Sequence, residues 1–176
     1  MRYSRIEKLK QIPSGFIDTI KDKNLVLVGC GGVGSVLAEL LVRSGFLNLV
    51  LIDNDLIDET NLSRQNFFES QLGESKSSAL AENLNKINSK VKLVVHSTIL
   101  DSSNIEKTCD SSDLIIDCSD NFATRFMLNR VCFATKVPLV SGAAIRWEGQ
   151  LTSFTMQTNT PCYRCLFYIK HLPLLW

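Results

Sequence analysis

Three glycines in the stretch LVLVGCGGVGS (25–35) fall in the order Gly29-x-Gly31-x-x-Gly34, with Gly32 beside the second. Glycines at that spacing can handle phosphate without a side chain. The first permits a tight turn, the second lets phosphate approach the backbone, and the third lets a helix pack closely on a strand. A helix starting at Ser35 would aim free N–H groups and a positive dipole end at the same anion. Asp53 closes the next apolar run, where a carboxylate can accept hydrogen bonds from ribose hydroxyls. The pattern predicts an adenine nucleotide and does not choose between NAD and ATP. Glycines that serve packing alone are the bland alternative.

The polar segment after Asp53, IDNDLIDETNLSRQNFF (52–68), supplies Asp55, Asn61, Arg64 and Gln65. A guanidinium such as Arg64 gives paired, planar hydrogen bonds to phosphate oxygens, which suits a triphosphate better than a dinucleotide. Lys76 follows at the start of a predicted helix, the wrong end for a cation on dipole grounds. An anion bound there would explain it; a solvated surface lysine is the alternative. In DCSDN (117–121), Asp120 and Asn121 end another apolar run. A carboxylate beside phosphates is repelled unless a cation lies between, so Asp120 is a candidate Mg²⁺ ligand. Its alternative is a plain helix N-cap.

Cys162-x-x-Cys165 is half of a tetrahedral zinc site. The remaining cysteines, Cys30, Cys109, Cys118 and Cys132, lie in apolar surroundings and read as buried thiols. The two histidines, His96 and His171, read as non-catalytic, and no Ser/His/Asp or Cys/His set is evident.

These residues need elements to hold them. Apolar runs at 25–29, 48–53, 92–97, 113–119 and 137–143 predict strands, and helix-period stretches at 35–45, 74–88 and 121–136 separate most of them. Residues 150–156 alternate more clearly and predict an antiparallel strand. The alternation implies an α/β, Rossmann-like fold: a mostly parallel sheet with helices on both faces and an antiparallel strand toward the C-terminus. Ligands in such folds sit beyond the C-terminal strand ends, where the candidate residues fall.

The 176 residues fit one domain; 45% are hydrophobic and 21% charged. Lys+Arg 19 against Asp+Glu 18 gives a net charge of +1, which offers no case for nucleic acid or an anionic membrane as partner. The polar N-terminus is no signal peptide and no run is long enough to span a membrane, so a cytoplasmic protein is expected.

Taken in order, GCGGVG, LIDNDLID, NLSRQ, the lysine of GESK, DCSDN, VPLVSGAAIRWEGQ and PCYRCL resemble the ThiF/MoeB/HesA family, bacterial members of the ubiquitin-activating-enzyme superfamily. The likeness runs from about Arg2 to Leu166 and leans to the molybdopterin-synthase adenylyltransferase branch, with the thiamine branch second. It implies adenylation, with ATP and Mg²⁺, of the C-terminal glycine carboxylate of a small ubiquitin-like sulfur-carrier protein ending in Gly-Gly. Pyrophosphate leaves. It also implies a homodimer. Carried onto this chain, Gly29, Gly31, Gly32 and Gly34 meet phosphates and Asp53 holds ribose. Asn61, Arg64, Gln65 and Lys76 line the nucleotide, Asp120 takes Mg²⁺ with Asn121 beside it, and Arg5 reaches the partner subunit's site.

The family's second C-x-x-C is not found after Cys165, so the sequence reads as C-terminally truncated with an atypical tail at 167–176. Zinc could then bind only with other ligands, and persulfide or thioester chemistry on the chain is not expected. Two further readings stay open: a catalytically inactive ATP-binding or dimerising remnant, and an NAD-dependent oxidoreductase.

Overall fold

A computed structural model of the protein describes residues 2–167. Five parallel strands are β1 (Asn24–Val28), β2 (Asn48–Ile52), β3 (Lys92–His96), β4 (Leu114–Asp117) and β5 (Leu139–Ile145); β6 (Glu148–Phe154) runs antiparallel to β5. Their order in the single sheet is β3-β2-β1-β4-β5-β6. The central strands read as unbroken apolar runs because both faces are covered. Leu25 and Leu27 of β1 enter one core and Val26 and Val28 the other. Each such side chain contributes about 1.5–3 kcal/mol on full burial.

Helices α2 (Gly32–Ser44) and α3 (Lys76–Ile87) cover the first face through Ala38, Val42, Ala79, Leu80 and Leu84. The second face is covered by α4 (Ile105–Thr108), α5 (Phe122–Thr135) and α6 (Tyr163–Leu166), with Leu128, Val131 and Tyr163 in the core. A short α1 (Phe16–Ile20) precedes the sheet. The α/β expectation and the antiparallel last strand are both seen. Helix α2 departs from expectation at its start: it begins at Gly32, not Ser35, which lies fully buried inside the first turn. Its far end is as expected, with Gly45 in the left-handed region at φ 113°.

Cys30, Cys109 and Cys132 are buried free thiols, as expected, and Cys118 is half-buried. Among the described residues no helix is long and apolar enough to cross a membrane. Of the predicted atypical tail at 167–176, residues 168–176, with His171, lie outside the described residues.

Candidate functional site

The chain reverses direction in sheet order at β1, whose neighbours are β2 and β4. Ligands of doubly wound sheets bind at such a switch point, beyond the strand ends. Here the strand ends are tied together: Gly29 N–H donates to the Ile52 carbonyl at 2.9 Å and Cys118 N–H to the Val28 carbonyl at 2.8 Å. Three segments therefore meet at one edge: the glycine turn, the loop after Asp53, and residues 118–121.

The three glycines differ in why each must lack a side chain. Gly29 has φ +90°, and a Cβ there would lie 2.7 Å from the Cys118 carbonyl oxygen. A Cβ on Gly34 would lie 1.8 Å from the Gly29 carbonyl oxygen. Both are dictated by packing. At Gly31 the added atom would meet, among the described residues, only Gln65 Nε2, at an ordinary 3.6 Å. Packing leaves Gly31 unexplained, and it is the N-cap of α2, where no side chain among the described residues caps the free N–H groups of the first turn. That turn is a ready anion site.

Asp53 reaches across to the turn. Its Oδ2 accepts from Cys30 N–H at 2.7 Å and its Oδ1 from Asp55 N–H at 2.8 Å. Burial raises its carboxyl above the ordinary range, and these two N–H groups work against that rise. Gln65 is buried beside Gly31, and its Oε1 has no hydrogen-bond partner among the described residues. An orphaned buried acceptor costs about 1–3 kcal/mol, which a ligand donor would recover. Arg64 is exposed next to Gly32, its Nη1 donating to the Thr60 carbonyl at 2.9 Å. Asn61 is buried, and its Oδ1 accepts from Asp58 N–H at 3.2 Å, so this oxygen shapes the short helix Glu59–Asn61.

Lys76 is not a solvated lysine. It is buried, and its Nζ lies 2.7 Å from Asp55 Oδ2. The carboxylate offsets the unfavourable position of a cation at the first turn of α3. Asp120 is exposed and its carboxylate has no hydrogen-bond partner among the described residues; Asn121 caps α5 instead, accepting from Thr124 N–H at 2.9 Å. Asp120 therefore fits a Mg²⁺ ligand of the kind that shares the ion with phosphate oxygens.

Two predicted groups are not brought to this edge. Arg5 belongs to an N-terminal segment held at the opposite ends of the helices: Arg2 Nη1 donates to the Ile87 carbonyl, Asn88 Nδ2 donates to the Tyr3 hydroxyl, and the Tyr3 ring packs at Gly45. Cys162 and Cys165 flank the turn of α6 with their sulfurs 3.6 Å apart. Burial raises the Cys162 thiol, but hydrogen bonds from Cys165 and other neighbours outweigh it and hold the thiol below its ordinary value. Among the described residues no group of three or more His, Cys, Asp or Glu side chains is placed to hold a metal ion. A tetrahedral zinc site takes four ligands, and these two sulfurs make half that number.

Sequence reasoning missed a buried cluster behind the edge: Asp117, Ser119, Arg125 and Ser141. A carboxylate inside the apolar run LIID was the available signal.

The family model described as the ThiF family matches residues 3–172. The adenylyltransferase and sulfurtransferase MOCS3 of Caenorhabditis briggsae is 42% identical over 167 residues, 94% of this chain and 42% of that protein. The molybdopterin-synthase adenylyltransferase of Escherichia coli K12 is 40% identical over 94% of this chain and 67% of its own length. Among solved structures, E. coli MccB with ATP superposes with a TM-score of 0.72 at 27% identity, covering 85% of this chain and 45% of MccB. The chain thus spans less than half the length of MOCS3 and MccB and two thirds of the E. coli adenylyltransferase.

Proposed function

The chain belongs to the ThiF family, and from that premise we propose that it is an ATP-dependent adenylyltransferase. Its substrate is the C-terminal glycine carboxylate of a small ubiquitin-like sulfur-carrier protein, of the molybdopterin-synthase small-subunit type before the thiamine-pathway type. The observation that carries the reading is Gly31. Its missing side chain serves no packing, and it opens the uncapped first turn of α2 to an anion with Arg64 alongside.

In the reaction a carboxylate oxygen attacks the α-phosphorus of ATP. The bond from that phosphorus to the bridging oxygen breaks, and pyrophosphate leaves with the electron pair. Both reactants are negative, so most of the work is placement and charge neutralisation. The α2 N–H groups receive phosphate, and Arg64 neutralises it from the side. Lys76 adds a second cation where Asp55 yields it. Asp53, fixed by two backbone N–H groups, accepts from ribose hydroxyls. Gln65 offers its unpartnered oxygen to a donor on the nucleotide, and Asn61 and Asn121 shape the two loops that close on it. Asp120 would hold Mg²⁺, which when bound draws negative charge off the phosphates. Arg5, remote from its own site, serves the partner subunit's site in a homodimer.

ATP–pyrophosphate exchange with Mg²⁺, with and without a carrier ending in Gly-Gly, tests the proposal. Carrier-dependent exchange that disappears in Arg64→Ala is expected. Nucleotide binding without exchange would leave the inactive ATP-binding reading. Binding of NAD in preference to ATP would sink both.

A further inference from the structure

Behind Asp120 lies a buried polar network that the proposed chemistry does not use. Asp117, at the end of β4, has no exposed surface. Its Oδ1 accepts from the Ser119 N–H at 3.0 Å and from the Ser119 hydroxyl at 2.6 Å; its Oδ2 accepts from the Ser141 hydroxyl of β5 at 2.8 Å. Arg125, in the first turns of α5, is 3% exposed and donates Nη2 to the Ser119 carbonyl at 2.7 Å. Its Nε lies 3.9 Å from Asp117 Oδ2 and is buried with no hydrogen-bond partner among the described residues. The guanidinium also sits 5.5 Å from the centre of the Phe122 ring.

A buried ion pair with one imperfect contact is a poor way to gain stability, since apolar side chains of the same volume would hold β4, β5 and α5 together at lower desolvation cost. What the charges do supply is direction. Ser119 is gripped at both ends of the residue, its N–H by Asp117 and its carbonyl by Arg125. Asn121, two residues on, is fixed by its cap on Thr124. Asp120 stands between these anchors, its backbone held on either side and its carboxylate exposed.

We infer that Arg125 is a positioning residue. By holding the Ser119 carbonyl, with Asp117 holding the amide, it sets the direction in which the Asp120 carboxylate leaves the sheet edge. It thereby sets the affinity for a divalent cation shared with nucleotide phosphates. The inference rests on the proposed reading of Asp120.

The test is calorimetric titration of ATP into the full chain, once with Mg²⁺ and once with chelator. The ratio of the two affinities measures what the cation adds. Arg125→Met is expected to cut that ratio about tenfold, toward that of Asp120→Asn, as loss of an outer-shell partner does elsewhere. Its affinity in chelator should stay within about twofold of the parent, because the α2 turn is untouched. Arg125→Lys, which keeps a donor for Ser119, should fall between. Both affinities dropping together with melting temperature, at constant ratio, would overturn the inference and leave Arg125 a stabilising residue only. If Arg125→Met does not fold, Arg125→Lys decides: a ratio equal to the parent's overturns it. A parent ratio near one, matched by Asp120→Asn, would instead overturn the cation reading of Asp120 and this inference with it.

Discussion

Lys76 Nζ lies 2.7 Å from Asp55 Oδ2, a buried ammonium against a carboxylate whose side chain is 59% exposed. The pair spans the loop between β2 and α3 and places a cation at the strand-end edge without leaving it bare. Asp55→Asn should cost about 1 kcal/mol, less than the 3–5 kcal/mol for breaking a fully buried pair, because water reaches the carboxylate. The same change frees Lys76, so ATP should bind more tightly while the protein melts earlier. Lys76→Met should weaken ATP binding. Melting curves and ATP titrations on the two variants check both signs.

Alanine at the two ends of the glycine motif should separate folding from binding. Gly34→Ala puts a Cβ 1.8 Å from the Gly29 carbonyl oxygen and should cost about 3 kcal/mol or more. Gly31→Ala meets only an ordinary contact, so melting should barely change. Its methyl group occupies the phosphate's approach, and ATP affinity should fall about tenfold, or about 1.4 kcal/mol.

Asn121 caps α5 and Asp120 is the proposed Mg²⁺ ligand, and substitution should separate the two. Asn121→Ala removes the side chain that accepts from Thr124 N–H and should cost about 1 kcal/mol. Asp120→Ala removes an exposed side chain and should stay within about 0.5 kcal/mol of the parent. Denaturant titration distinguishes the two. Equal losses would return Asp120 to a capping role.

The thiols should sort by environment. Burial pushes Cys109 up to about 11 and Cys118 and Cys132 up to about 12, from an ordinary 9.0, so at pH 8 they are neutral and slow toward disulfide reagents. Cys165 is exposed and Cys162 is held below its ordinary value. Native protein should lose the exposed Cys165 thiol quickly, the buried Cys162 more slowly, and the raised thiols only on unfolding. The raised groups bind protons more tightly folded than unfolded. Stability should therefore be fully present below pH 9 and fall as pH climbs from about 9 toward 11–12. Equilibrium unfolding along an alkaline pH series checks the direction.

Much of this was legible in the chain. Strands buried on both faces leave unbroken apolar runs, so the sheet and the edge carrying Gly31, Asp53 and Asp120 could be read off directly. Helix α2 was placed three residues late because glycines argue against a helix interior, whereas here the contact of Gly34 with Gly29 overrides local preference. Short α1, α4 and α6, of four or five residues, fall below any detectable period. The partners of Lys76 and Asp117 were hidden for another reason. Asp55 lies 21 positions from Lys76, and Ser141 lies 24 from Asp117, separations set by the fold and by no repeat in the sequence.

The interlock of Gly29 and Gly34 also constrains the gene. Every glycine codon begins with two guanines, and any single-base missense change in it yields a residue with a Cβ. At Gly29 and Gly34 that atom meets a carbonyl oxygen closer than atoms can stand. Neither codon has a tolerated missense neighbour, so working copies of this gene can drift there only in the silent third base, while the Gly31 codon carries no such steric bar.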